Sequence, residues 1–175
     1  MKRVLIVCAI LLLPAAVFAQ VQVGATALYN VPYFESGAPA ELDASDFTFG
    51  ADARLRVFIF QASALALFTP GYTDEMDNTV AGSIDVIIDG GVSFDILFLR
   101  LGLGAGPSLR MNLEPGDGAR GIGLNVKATA DVMLGKIGVG LSYLNQFEFD
   151  FSDATQLLDE DYTKGLIGVS LLFTL

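Results

Sequence analysis

RGIGLNVKATADVML, residues 120–134, interleaves two patterns. Ile122, Leu124, Val126, Ala128, Ala130 and Val132 take the even positions. Gly121, Gly123, Asn125, Lys127, Thr129 and Asp131 take the odd ones. Such alternation puts successive side chains on opposite faces of a β-strand, one apolar and one polar. The solvent decides which face points outward. In water it is the polar face; in a bilayer it is the apolar face, and the polar face then lines an interior.

The same pattern recurs along the chain. Val21, Val23, Ala25, Ala27 and Tyr29 alternate with Gln22, Gly24 and Thr26. Phe47, Phe49, Ala51, Ala53, Leu55 and Val57 alternate with Thr48, Gly50, Asp52, Arg54 and Arg56. Ile84, Val86, Ile88, Val92 and Phe94 oppose Asp85, Ile87, Asp89, Gly91 and Ser93. Leu99, Leu101, Leu103 and Ala105 oppose Arg100, Gly102, Gly104 and Gly106. Ile137, Val139, Leu141 and Tyr143 oppose Gly138, Gly140 and Ser142, and the last strand runs from Gly165 to Leu175. Residues 62–68 make a weaker strand, because Leu65 and Leu67 fall on its polar parity. The count is about eight strands.

The connections sort by length. The apolar parity changes from Val57 to Ala62, Phe94 to Leu99 and Val132 to Ile137. These spacings predict hairpins turning at Ile59-Phe60, Ile96-Leu97 and Leu134-Gly135. The first two turns are apolar, which is unusual for a turn in water. The other connections, residues 30–45, 69–79, 112–119 and 150–164, are long, rich in Pro and Gly, and hold most of the acids. Long and short connections alternate, so all long loops lie at one end of the sheet. Outer-membrane barrels have this layout, with short periplasmic turns and longer extracellular loops.

Composition bounds the function. Lys2 and Arg3 precede an apolar run, Val4–Leu13, and then Val17-Phe18-Ala19 with small residues at −3 and −1. This predicts a cleaved signal peptide over residues 1–19 and a single domain over 20–175. The run is too short for a transmembrane helix. Cys8 lies too early to be a lipoprotein cysteine and reads as an apolar filler, so the mature chain has no thiol. There is no His, which removes the commonest general base and metal ligand. Without Lys2 and Arg3, 8 basic residues face 20 acidic ones, a net charge of −12 that repels nucleic acid. Mean hydropathy is +0.55, yet no later apolar run is long enough to span as a helix.

Glycine fills the polar faces, where an exposed strand would not favour it. It suits a crowded lumen facing long side chains. Those side chains are present: Arg54, Arg56, Arg100, Arg110 and Lys127, with Asp52, Asp85, Asp89 and Asp131. Near balance of sign is what an enclosed interior requires. The apolar faces lack charge over their middle stretches and carry aromatics toward their ends: Tyr29, Phe47, Phe68 and Phe147 at the loops, Phe94 and Phe173 at the turns. Such rings mark membrane interfaces. The reading is an all-β, up-and-down antiparallel transmembrane barrel of about eight strands.

The chain resembles the small eight-stranded outer-membrane barrels, the OmpX-, OmpW- and OmpA-barrel-like proteins, over its whole mature length and by architecture more than motif. The C-terminal stretch GLIGVSLLFTL carries the most specific element. Ile167, Val169, Leu171, Phe173 and Leu175 alternate as in the terminal strand that the barrel-assembly machinery reads, although the last residue is Leu and the aromatic stands two earlier. The resemblance implies a monomer in outer-membrane lipid.

The expected function is a non-enzymatic surface protein with a charge-plugged lumen, presenting acidic loops for structure, interaction or adhesion. The alternative is OmpW-like binding or passage of a small solute, hydrophobic or not, for which Leu65, Leu67, Ile87, Leu144 and Leu172 supply an inner apolar patch. An enzyme would need a carboxylate pair such as Asp52 with Asp85 or Asp89, which a charge-balanced lumen instead predicts to be ion-paired. No cofactor is expected. Asp74, Glu75, Asp77, Asp159 and Asp161 are weak calcium candidates, without the spacing of a calcium loop.

Overall fold

A computed structural model describes residues 19–30, 47–73, 79–113, 120–148 and 165–175. Residues 1–18 of the expected signal segment lie outside the described residues; Ala19, at its end, is the first residue of the first strand and stands opposite Val57.

The strands are β1 (Ala19–Asn30), β2 (Phe47–Val57), β3 (Phe60–Thr69), β4 (Tyr72–Thr73), β5 (Thr79–Val80), β6 (Ser83–Ile96), β7 (Leu99–Asn112), β8 (Arg120–Leu134), β9 (Ile137–Glu148) and β10 (Leu166–Thr174). Eight of them close into an antiparallel barrel in the order β1-β10-β9-β8-β7-β6-β3-β2. Each strand pairs with its sequence neighbour, and β10 returns to β1. β4 and β5 form a separate two-stranded ladder within a stretch that reads from sequence as plain loop.

Register fixes the barrel's shape. The pairing runs Gln20, Arg56, Gln61, Gly91, Gly104, Lys127, Leu144, Leu166 and then Asn30. One circuit therefore returns to β1 ten residues further along. Eight strands with that stagger tilt by roughly 40° and enclose a backbone radius of about 8 Å. The wall is continuous except where Pro107 lacks an N–H: the β6–β7 ladder lapses at Ile88 and Asp89.

Three two-residue turns join the hairpins, with Val57 opposite Phe60, Ile96 opposite Leu99 and Leu134 opposite Ile137. The turns are thus Phe58-Ile59, Leu97-Phe98 and Gly135-Lys136, each one residue from the expected position. Alternation fixes the face of a residue but not which same-face residues pair; each turn, of two residues as expected, is shifted by one and places a left-handed residue first. Phe58 (φ 57°), Leu97 (φ 58°) and Gly135 (φ 67°) take that conformation. The third strand is also fuller than expected. Leu65 and Leu67 point inward and are buried, without breaking its ten-residue run.

The outer surface is apolar. Large hydrophobic side chains are exposed on every barrel strand, among them Val23, Phe49, Phe68, Ile88, Leu103, Ile122, Leu141 and Val169. The terminal-strand residues Ile167, Val169, Leu171, Phe173 and Leu175 all lie on this outer face. Tyr29 and Phe47 pack at 5.2 Å near the loop end. Phe147 stands opposite the outward Leu124 but is not exposed. It is buried and lines a small cavity at the loop mouth with Arg110 and Gln146.

Ala25 and Leu171 stand directly opposite at the β1–β10 seam. Cysteines at both sites are expected to form an intramolecular disulfide in the folded barrel, seen as a mobility shift reversed by reductant. Cysteines at Ala25 and Ile167, two pairs out of register along the seam, are expected to stay reduced.

Candidate functional site

The inward positions assemble into the lumen. Asp52, Arg54, Asp85, Asp89, Arg100, Lys127 and Asp131 are all buried, with Arg54 at 2% exposure and Asp131 at 1%. They sit there because odd and even positions face opposite sides of each strand. Charged side chains so far from water require partners.

Arg54 has two. Its Nε donates to Asp52 Oδ2 at 2.9 Å, and its Nη1 donates to Asp131 Oδ2 at 2.7 Å. Nη2 also lies 2.8 Å from Asp52 Oδ2, without hydrogen-bond alignment. β2 and β8 stand on opposite walls of the barrel, four strands apart in either direction. Arg54 is therefore a crossbar spanning the lumen. Arg100, on β7, makes a second span to β1, opposite it. Its Nη1 donates to Gln22 at 3.1 Å and its Nη2 to Gln20 at 3.0 Å, while its Nε holds Asp95 at 2.7 Å.

Asp95 also receives Arg56 Nη1 at 2.5 Å. Reading the strand only as far as Phe94 misses this acid. With it the lumen set holds five cations and five carboxylates. The rest pair locally. Lys127 Nζ lies 2.9 Å from Asp89 and donates to Ser63 Oγ, which donates to Asp89 at 2.7 Å. Arg110 Nε lies 2.8 Å from Asp85 at the loop mouth. Asp52, Asp85 and Asp89 thus each face a cation, not one another.

Two glycines show how these groups fit. A Cβ on Gly140 would stand 1.8 Å from Asp131 Oδ1, and one on Gly104 would stand 2.7 Å from Asp89 Oδ1. Each carboxylate fills the space that a side chain opposite would need. Toward the loops the lumen turns apolar. Leu28, Leu65, Leu67, Ile87 and Leu144 form one buried cluster, with Leu166 packed against it. Leu28 completes this layer and does not stand out from sequence, because it follows Gln22, Gly24 and Thr26 on a face that reads as polar. Leu172 is buried as well, outside the cluster. The cavity at the loop mouth, between Asp85, Ser108, Arg110 and Gln146, measures about 40 Å³.

The calcium candidates Asp74, Glu75, Asp77, Asp159 and Asp161 lie outside the described residues. Among the described residues, no three His, Cys, Asp or Glu side chains gather in a way suited to a metal.

No family model matches the chain, and no curated protein does. The crystal structure of Neisserial surface protein A matches with a TM-score of 0.52 at 13% identity, over 89% of this chain and 96% of that one. The chain has the fold of the small eight-stranded outer-membrane barrels. At that identity the likeness is one of fold, and the barrel's lumen chemistry is read from its own residues.

Removing Arg54 leaves Asp52 and Asp131 buried without their shared cation. Arg54→Met is expected to destabilise the barrel by about 3–5 kcal/mol, measured by urea unfolding in lipid vesicles. Adding Asp52→Asn and Asp131→Asn to that variant is expected to restore most of the loss, because the site is then neutral.

Proposed function

We propose that this protein is a non-enzymatic integral outer-membrane barrel, secreted across the inner membrane by a cleaved signal peptide. Its lumen is closed by its own side chains, and its acidic loops are presented outside the cell for surface structure, interaction or adhesion. One observation carries the membrane reading: the barrel is inverted relative to a water-soluble one. Its exposed belt is apolar on every strand, while the buried positions hold ion pairs and hydroxyls. In water such a belt would be an aggregating surface, whereas acyl chains cover it at no hydration cost. Strands of 9 to 15 residues suit a tilted crossing.

The closed-lumen reading draws on the two crossbars and the apolar layer above them. An eight-stranded barrel has only enough interior for side chains to fill. In this reading the outer belt meets outer-membrane lipid, the barrel is a monomer, and the β10 alternation ending at Phe173 and Leu175 addresses the barrel-assembly machinery. The inner cluster of Leu28, Leu65, Leu67, Ile87 and Leu144 favours a second reading, binding or passage of a small apolar solute.

Orientation is directly testable. An epitope inserted between residues 155 and 156 is expected to be detected by antibody on intact cells. The same epitope between Gly135 and Lys136 is expected to be detected only after permeabilisation. The opposite pattern would reverse the orientation and remove the surface-presentation role.

A further inference from the structure

The turn end of the barrel is chemically lopsided. Along β2, β3, β6, β7 and β8 the rim is apolar and projects outward. Leu97 is 92% exposed, with Phe58, Phe60, Ile96, Phe98 and Leu134 each more than half exposed. The charges on these strands at this level turn inward, Arg56 and Arg100 both to Asp95. Across the barrel, the β8–β9 turn presents Lys136, whose Nζ lies over the Phe173 ring at 5.8 Å, and β1 begins near Gln20. The β2–β7 half of the rim is therefore apolar through its turns, whereas the other half, although Ile137, Phe173 and Leu175 are exposed there, carries a Gly135-Lys136 turn with a cation.

The backbone of the greasy half adds an independent observation. Phe58 and Leu97 hold φ values of 57° and 58°, a conformation that bulky L-residues adopt only with strain. A two-residue hairpin favours Gly, Asn or Asp there, and the β8–β9 turn indeed places Gly135 at that position. The other two turns keep large apolar side chains despite the strain. Like the Gly135-Lys136 turn, whose Lys136 O accepts from Thr174 N, both are pinned to the next strand: Ser93 N donates to Ile59 O and Met133 N to Phe98 O, each at 2.7 Å. They are fixed prongs continuous with the apolar outer belt, through Phe60 on one side and through Phe94 and Leu101 on the other.

We propose that the Phe58-Ile59 and Leu97-Phe98 turns are immersed in the acyl region of the leaflet at the turn end, while the Gly135-Lys136 turn stays at the headgroups. The occupant is lipid, because the prongs extend the surface that lipid already covers and carry no charge for a polar partner to read. The proposal rests on the membrane-spanning reading, and it implies that the barrel sits tilted or deep on its β2–β7 side.

The chain contains no Trp, so one introduced Trp reports its own surroundings. Leu97→Trp, Phe98→Trp, Lys136→Trp and Leu141→Trp would each be refolded into phosphatidylcholine vesicles, with folding checked by heat-modifiable gel migration. Emission would be quenched by lipids brominated on the acyl chain and, separately, by iodide from the compartment that the turns face. Leu141→Trp, at mid-belt, tests the spanning reading itself: without bromine quenching there, that reading fails. With it, Leu97→Trp and Phe98→Trp are expected to lose most of their emission to brominated lipid and little to iodide. Lys136→Trp is expected to show the reverse. Iodide quenching of Leu97→Trp and Phe98→Trp equal to that of Lys136→Trp would overturn the proposal. Shielding of both prong sites from both quenchers would also overturn it, indicating contact with a second copy.

Discussion

The Arg54 guanidinium reaches from β2 to Asp131 on the opposite wall, and the rest of the interior is arranged around that reach. An eight-stranded barrel with a ten-residue stagger is narrow enough for one side chain to cross. It is also too dry for that side chain to remain charged without partners. Its two carboxylates meet that need, and each carboxylate in turn requires an uncluttered space. Glycine provides that space at Gly140 for Asp131, and at Gly104 for the parallel pair of Asp89 and Lys127. The glycine-rich polar faces, the balance of signs and the buried hydroxyls follow from one constraint: the lumen must be filled and neutral.

The outside is the complement of that interior. A strand has two faces, and committing one to charge leaves the other to carry the hydrophobic residues. Exposed Val, Leu, Ile and Phe therefore ring the barrel. The lumen itself is graded along its axis. The arginine crossbars lie toward the turns, the leucine layer lies toward the loops, and the Arg110–Asp85 pair stands at the loop mouth. The polar crossbars and the apolar layer are thus stacked along the barrel axis.

Most of the fold is legible in the sequence because a period of two assigns faces without ambiguity. Ile122 to Val132 against Gly121 to Asp131 is enough to place Lys127 and Asp131 inside. Register is harder. The turns at Phe58-Ile59 and Leu97-Phe98 lack Gly or Asn, so nothing local marks the closing pair, and the expected turns fall one residue away. Asp95 is missed for the same reason, since it lies in the stretch that a misplaced turn consumes. Leu28 is missed because it follows Gln22, Gly24 and Thr26 on a polar face. The spans from Arg54 to Asp131 and from Arg100 to Gln22 depend on barrel stagger, a sum over eight registers that no single segment encodes.

Closure of the lumen by these side chains is tested most directly by planar-bilayer conductance of the refolded barrel, with Arg54→Ala beside the natural sequence. A closed lumen gives a silent membrane for the natural sequence and either flickering current or a less stable barrel for the variant. Steady single-channel steps from the natural sequence, unchanged by Arg54→Ala, would contradict it and shift the function to solute passage.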